Sequence, residues 1–81
     1  MISNEEVQCH LAAQAGVKLV EVTGDGHHYN ILIVADYFDG KSPVARQQFV
    51  YKYLNQWILS DQMHAVNMQT WTSSEWEKLH G

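Results

Sequence analysis

The amino-acid sequence predicts an α+β domain in which the elements follow in the order α-β-β-α-β-α. Three observations predict it. Two runs rich in β-branched residues, 17–23 and 29–35, flank the triplet Gly24-Asp25-Gly26, and two such runs around a short Gly-rich connection read as a hairpin. After Ser42-Pro43, apolar residues recur at Val50, Leu54, Trp57 and Ile58, which is the i, i+4, i+7, i+8 spacing of one helix face. The alternating run 63–70 is followed by Thr72 and, three residues on, by Glu75, a capping box that opens a last short helix. One sheet covered by helices is the economical way to bury such elements.

Each element has its own local signals. Ser3 or Asn4 caps the first helix, and Glu5 and Glu6 place negative charge at the positive end of its dipole. Val7, Leu11, Ala12 and Ala15 form its apolar stripe, with Gly16 as the stop. Gly24 and Gly26 supply the backbone freedom that a tight connection needs. Residues 36–42 form a connecting loop containing Gly40. Ser42 as cap and Pro43 at the first helical position start a helix over 43–59, which Ser60-Asp61-Gln62 breaks. There is no internal repeat or linker, so residues 1–81 read as one domain.

Composition narrows the function classes. With 46% hydrophobic and 17% charged residues the chain has the balance of a folded protein, although a chain of 81 residues has a thin core. Nine acidic against five basic side chains give a formal charge of −4, unfavourable for non-specific nucleic-acid binding, which rests on Lys and Arg. The longest apolar run, 31–35, is too short to cross a bilayer. The acidic start lacks the order of a secretion signal, and the single Cys9 has no partner for an internal disulfide. A cytoplasmic protein without a membrane partner is the expectation. No paired-carboxylate motif, nucleophile elbow, phosphate loop or His-Glu-x-x-His metal motif occurs, and a non-enzymatic role is expected. Cys9 reads as a small buried or half-buried side chain, His10 and His80 as surface residues, and Trp57 as core. Trp71 and Trp76 either pack the last helix on the sheet or belong to a partner surface.

Three segments, in this order and spacing, carry a resemblance: Thr23-Gly24-Asp25-Gly26-His27-His28-Tyr29; Phe38-Asp39-Gly40-Lys41-Ser42 running into Arg46-Gln47-Gln48-Phe49-Val50-Tyr51; and Met63-His64-Ala65-Val66 leading to the stretch from Thr70 to Trp76. Over nearly its whole length the chain resembles the BolA family, and more closely its IbaG-like bacterial branch. The resemblance implies a class II KH-like fold, a three-stranded mixed sheet with helices on one face. It also implies pairing with a monothiol glutaredoxin and a [2Fe–2S] cluster shared between them. The glutaredoxin and its glutathione supply thiolates, and the BolA-type chain supplies a histidine at the start of its third strand, here His64. No cluster is expected to stay tightly bound to the isolated chain. Many relatives add a Cys or His from the hairpin loop. Asp25 stands at the Cys position here, which leaves His27 and His28 as the loop candidates. The Gly-x-x-Gly loop of RNA-binding KH domains is absent, since the chain reads Gly40-Lys41-Ser42-Pro43.

The chemistry agrees with a histidine-only site, because neutral imidazole is a sound ligand for iron in clusters. His64 is expected at a turn-to-strand junction. It shares strand parity with Val66 and Met68, so a half-buried histidine bonded to a neighbouring carbonyl is the alternative. Adjacent strand residues face opposite sides, so at most one of His27 and His28 points at a given site, and His27 lies nearer the Gly-rich tip. Asp25 is read as a turn residue. Lys41 and Arg46, with Lys52 beyond, form the basic region of the chain. Where relatives carry Arg-His-Arg on this helix and a helix-turn-helix-like role in DNA binding has been suggested, this chain carries Arg46-Gln47-Gln48. Lys41, Arg46 and His28 are therefore the candidate contacts to a partner or to nucleic acid. The alternative function is a DNA-binding regulator acting through the 43–59 helix. A homodimer and a weak nucleic-acid contact stay open at this point.

Overall fold

Each α-helix in the computed structural model, which describes residues 2–80, starts where a side chain accepts from an otherwise unpaired backbone N–H. Ser3 Oγ accepts from the Glu6 N–H and opens α1 (Asn4–Ala12). Ser42 Oγ accepts from the Ala45 N–H, with Pro43 next to it, and opens α2 (Pro43–Leu59). Thr72 Oγ1 accepts from the Glu75 N–H while the Glu75 carboxylate accepts from the Thr72 N–H, the reciprocal pair that opens α3 (Ser73–His80). Between them lie β1 (Val17–Gly24), β2 (His28–Ala35) and β3 (Ala65–Trp71), with one 3-10 turn at Asp36–Phe38.

The sheet order is β1-β2-β3. β1 and β2 pair antiparallel, β2 and β3 parallel, which makes the sheet mixed as expected. α1 and α2 cover one face, where Val7, Leu11, Ile31, Ile33, Phe38 and Leu54 meet in the core. The short α3 lies elsewhere. Trp76 approaches Leu19 and Val34, paired residues on the opposite side of the sheet from Val20 and Ile33, so α3 covers one end of the second face and keeps Val34 buried. The expectation of helices on one face therefore holds for α1 and α2. Trp71 ends β3 on that second face, and only Thr72 separates it from α3, too short a connection to cross back over the sheet.

Other departures have local causes. α1 stops at Ala12, so its stripe reduces to Val7 and Leu11, while Ala12 and Ala15 are exposed. Cys9 is exposed rather than buried, because two residues turn a helix by about 200° and carry it away from Val7. His10 is half-buried rather than on the surface, edge-on to Trp57 at 5.1 Å, and Trp57 itself packs half-buried against the core. β3 starts at Ala65, not at 63. Met63 is spent on the core, 1% exposed, and the Gln62 and Met63 N–H groups both return to the Trp57 carbonyl. Asp61 takes φ 61° to make that return, in the left-handed region that Asp tolerates better than most residues.

The outer edge of β1 is covered by α1. Gln8 Oε1 accepts from the Val22 N–H at 3.3 Å and Asn4 Nδ2 donates to the Gly24 carbonyl at 3.2 Å. Side chains thereby occupy backbone groups that would otherwise invite another strand.

Candidate functional site

The parallel ladder places the N-terminal ends of β2 and β3 side by side. His28 is registered with Ala65, and the Ala65 N–H donates to the His27 carbonyl at 3.1 Å. The residue before each strand therefore stands at the same end of the sheet. Those two residues are His27 and His64, whose ring centroids lie 5.8 Å apart with planes 35° apart. Both are exposed. His64 precedes β3 instead of lying in it, so it escapes the inward parity of Val66 and Met68, and the half-buried alternative is not what the fold adopts.

The hairpin tip is built to hold His27. Asp25 Oδ1 accepts from both the His27 and the His28 N–H, each at 2.9 Å. Those bonds, His28 first, hold the Asp25 carboxyl at about 2, below its usual 3.8, and the carboxylate serves the turn. The Asp25 N–H in turn donates to the His28 carbonyl at 3.3 Å. Gly24 makes this closure possible: it adopts φ +152°, and a Cβ there would stand 2.2 Å from the His28 carbonyl oxygen. The His28 Nδ1 lies 3.8 Å from Asp25 Oδ2, with its side chain 74% exposed. Behind the tip, the buried Tyr29 hydroxyl donates to the Ile2 carbonyl, and the Ile2 N–H donates to the Gln62 carbonyl at 3.4 Å. Ile2 thus ties the segment carrying His27 to the segment carrying His64.

Two imidazoles on one exposed sheet end suit an iron centre approached from outside, since nitrogen donors are compatible with iron and the site is not enclosed. Among the described residues no group of three or more His, Cys, Asp or Glu side chains converges to hold a metal ion. The pair offers two nitrogen donors at that end of the sheet.

The basic candidates separate. Arg46 folds inward: Nη1 and Nη2 donate to the two Glu75 carboxylate oxygens at 2.8 and 3.3 Å, Nη1 also to the Thr70 carbonyl, and Nε to the Lys41 carbonyl. Its side chain is 13% exposed. The guanidinium, with help from the Thr72 N–H, holds the Glu75 carboxyl at about 2, below its usual 4.5. Sequence reading missed Glu75 in this second role: its distance from Thr72 signals a cap, and nothing local signals an ion pair with Arg46. Lys41 remains exposed, its ammonium 5.2 Å from the centre of the Tyr37 ring. Trp71 and Trp76, with ring centres 6.5 Å apart, and His80, 3.9 Å from Trp76, pack α3 together and onto the sheet.

Comparison with known proteins settles the family. The family model described as BolA-like protein matches residues 3–75. The chain belongs to the BolA family. BolA-like proteins are not a known enzyme family. The chain is 37% identical over 83 residues to the acid stress protein IbaG of Escherichia coli strain K12, covering 99% of each. It is 32% identical over 57 residues to the DNA-binding transcriptional regulator BolA of Vibrio cholerae, covering 70% of this chain and 53% of that one. Among solved structures, a BolA homologue from Coxiella burnetii superposes with a TM-score of 0.81 at 26% identity, over 95% of this chain and 99% of that one. Among the described residues no helix is long and apolar enough to cross a membrane.

Proposed function

We propose that this BolA-family chain is a cytoplasmic, non-enzymatic adaptor that pairs with a monothiol glutaredoxin and shares or transfers a [2Fe–2S] cluster in iron–sulfur assembly, trafficking or iron sensing. The observation that carries the reading is the 5.8 Å approach of the His27 and His64 rings at one exposed end of the sheet. In this reading His64 is the principal ligand from this chain and His27 the second, while the glutaredoxin and its glutathione complete the sphere with thiolates. The cluster is cargo held between two proteins. The relative named as an acid stress protein supports placing this process within a stress response.

The test is anaerobic reconstitution of the mixed complex, followed by visible absorption and circular dichroism. His64→Ala is expected to abolish the mixed-complex spectrum, and His27→Ala to alter its band positions while leaving the complex coloured. Because both rings are exposed, neither change should disturb folding. A mixed-complex spectrum unchanged in His64→Ala would sink the assignment.

A second reading, duplex DNA binding through α2, is favoured by the regulator named among the relatives. It predicts binding that weakens steeply with salt and is lost in Lys41→Ala. The inward placement of Arg46 weighs against it, and absence of duplex binding at low salt would remove it.

A further inference from the structure

With Arg46 held by Glu75 and Lys18 paired to Asp36 at 3.7 Å, the basic region resolves into two lysines on one groove. Lys41 and Lys52, both exposed and in no ion pair among the described residues, line a groove of ≈ 510 Å³ together with Tyr37, Gln48, Phe49 and Tyr53. Its floor is aromatic. Tyr37 stacks on Phe49 at 4.4 Å with planes 28° apart, and Phe49 meets Tyr53 edge-on at 5.3 Å. The Lys41 ammonium lies 5.2 Å from the centre of the Tyr37 ring, and that of Lys52 5.7 Å from the centre of the Tyr53 ring. Tyr37 is 49% exposed, so a large aromatic face stays in water while Phe49 props it in one orientation.

We infer that this groove docks a short acidic segment of a protein partner, an apolar side chain lying on Tyr37 and Phe49 and carboxylates reaching Lys41 and Lys52. The order of charges and rings is what such a segment needs: an apolar surface that gains by being covered, with a cation toward either end. A nucleic acid fits less well. Its affinity grows with the number of phosphates neutralised, the groove offers two cations, and the chain as a whole carries −4. A peptide with a few carboxylates gains the two contacts without bringing a polyanion against that charge.

The groove is separate from the histidine pair. His27 precedes the first residue of β2 and Tyr37 lies two residues beyond its last, so the eight strand residues between them, at about 3.3 Å each, span roughly 25 Å. A partner using this surface leaves the histidine end free, and the inference stands or falls without the cluster reading.

The probe is a capped decapeptide with a Leu-Trp pair flanked on each side by two Glu residues, titrated at low ionic strength into the ¹⁵N-labelled full chain. Amide shifts are expected to change around Tyr37, Lys41, Gln48, Phe49, Lys52 and Tyr53, and not around His27 and His64. The Lys41→Glu, Lys52→Glu double variant alters exposed side chains only and should weaken binding roughly tenfold or more, as two reversed surface charges allow. Lys78→Glu, half that change of net charge at a site elsewhere, should stay within about twofold. His64→Ala should leave the affinity unaltered. Four results overturn the inference: no shift at millimolar peptide; equal binding of the peptide with Gln in place of Glu; equal loss in Lys78→Glu; or an eight-residue oligothymidylate displacing the peptide from the same amides.

Discussion

Replacing Tyr29 by Phe removes one oxygen from a ring that is 1% exposed and leaves its shape unchanged. No cavity opens, so the variant isolates the hydrogen bond from Tyr29 to the Ile2 carbonyl. Water cannot easily reach that carbonyl, because Ile2 is itself 5% exposed. Leaving a buried acceptor unpaired costs about 1–3 kcal/mol. The weaker approach of the hydroxyl to the Gly26 carbonyl, at 3.4 Å, adds little. For a domain of this size each kcal/mol lowers the melting midpoint by roughly 4–8 °C, so Tyr29→Phe should melt at least several degrees lower and lose urea midpoint at unchanged slope. Thermal and urea unfolding followed by circular dichroism measure both. Because Ile2 links Tyr29 to Gln62, the amides of residues 62–64 should also exchange faster with deuterium. A stability loss under about 0.5 kcal/mol, with exchange at 62–64 unaltered, would refute the tie between hairpin and loop.

Gly24→Ala should cost about 1–3 kcal/mol by overpacking, since the added Cβ meets the His28 carbonyl oxygen, part of the backbone, at 2.2 Å; a melting curve matching the parent would contradict the closed tip. Glu75→Gln separates the acid dependence of the Arg46 pair. The Glu75 carboxyl is held below its unfolded value, from 4.5 to about 2, so its ionised form stabilises the fold above about pH 4.5, and that contribution fades as the pH falls from there toward 2. Urea midpoints of parent and variant should accordingly differ most at neutral pH and converge below pH 4.5. Asp25 titrates over a similar window, and taking the difference between the two proteins cancels it. A gap that does not change with pH would show that neither the Arg46 guanidinium nor the Thr72 N–H favours the ionised carboxylate.

The features legible in the sequence are those that act over a few residues. Ser3, Ser42 and the Thr72–Glu75 box each announce a helix start because donor and acceptor are three residues apart, and all three form as expected. The Gly-Asp-Gly tip and the two β-branched runs likewise define the hairpin. Features decided by distant partners were not legible. Met63 belongs to the core because the end of α2 turns back over it, the side taken by α3 depends on where β3 leaves the sheet, and Arg46 faces Glu75 across the fold rather than a partner. At the candidate site, the nearness of His64 to the hairpin was readable only through resemblance. Its exposure follows from the strand start at Ala65, which the alternation of residues 63–70 placed too early.

The pairing of β2 with β3 also has a consequence for how the histidine pair comes into being. Residues 27 and 64 lie on opposite sides of α2 in the chain, and a parallel pairing across such an intervening helix is non-local and late to form. Without β3 in place, His27 has no companion ring at that end of the sheet. The pair appears only when β3 zips against β2, and any fraying of that ladder at Ala65 separates the rings again. A ligand that bridges both rings would thus read out whether the last strand is in place, and by binding only the closed ladder it would hold that strand there.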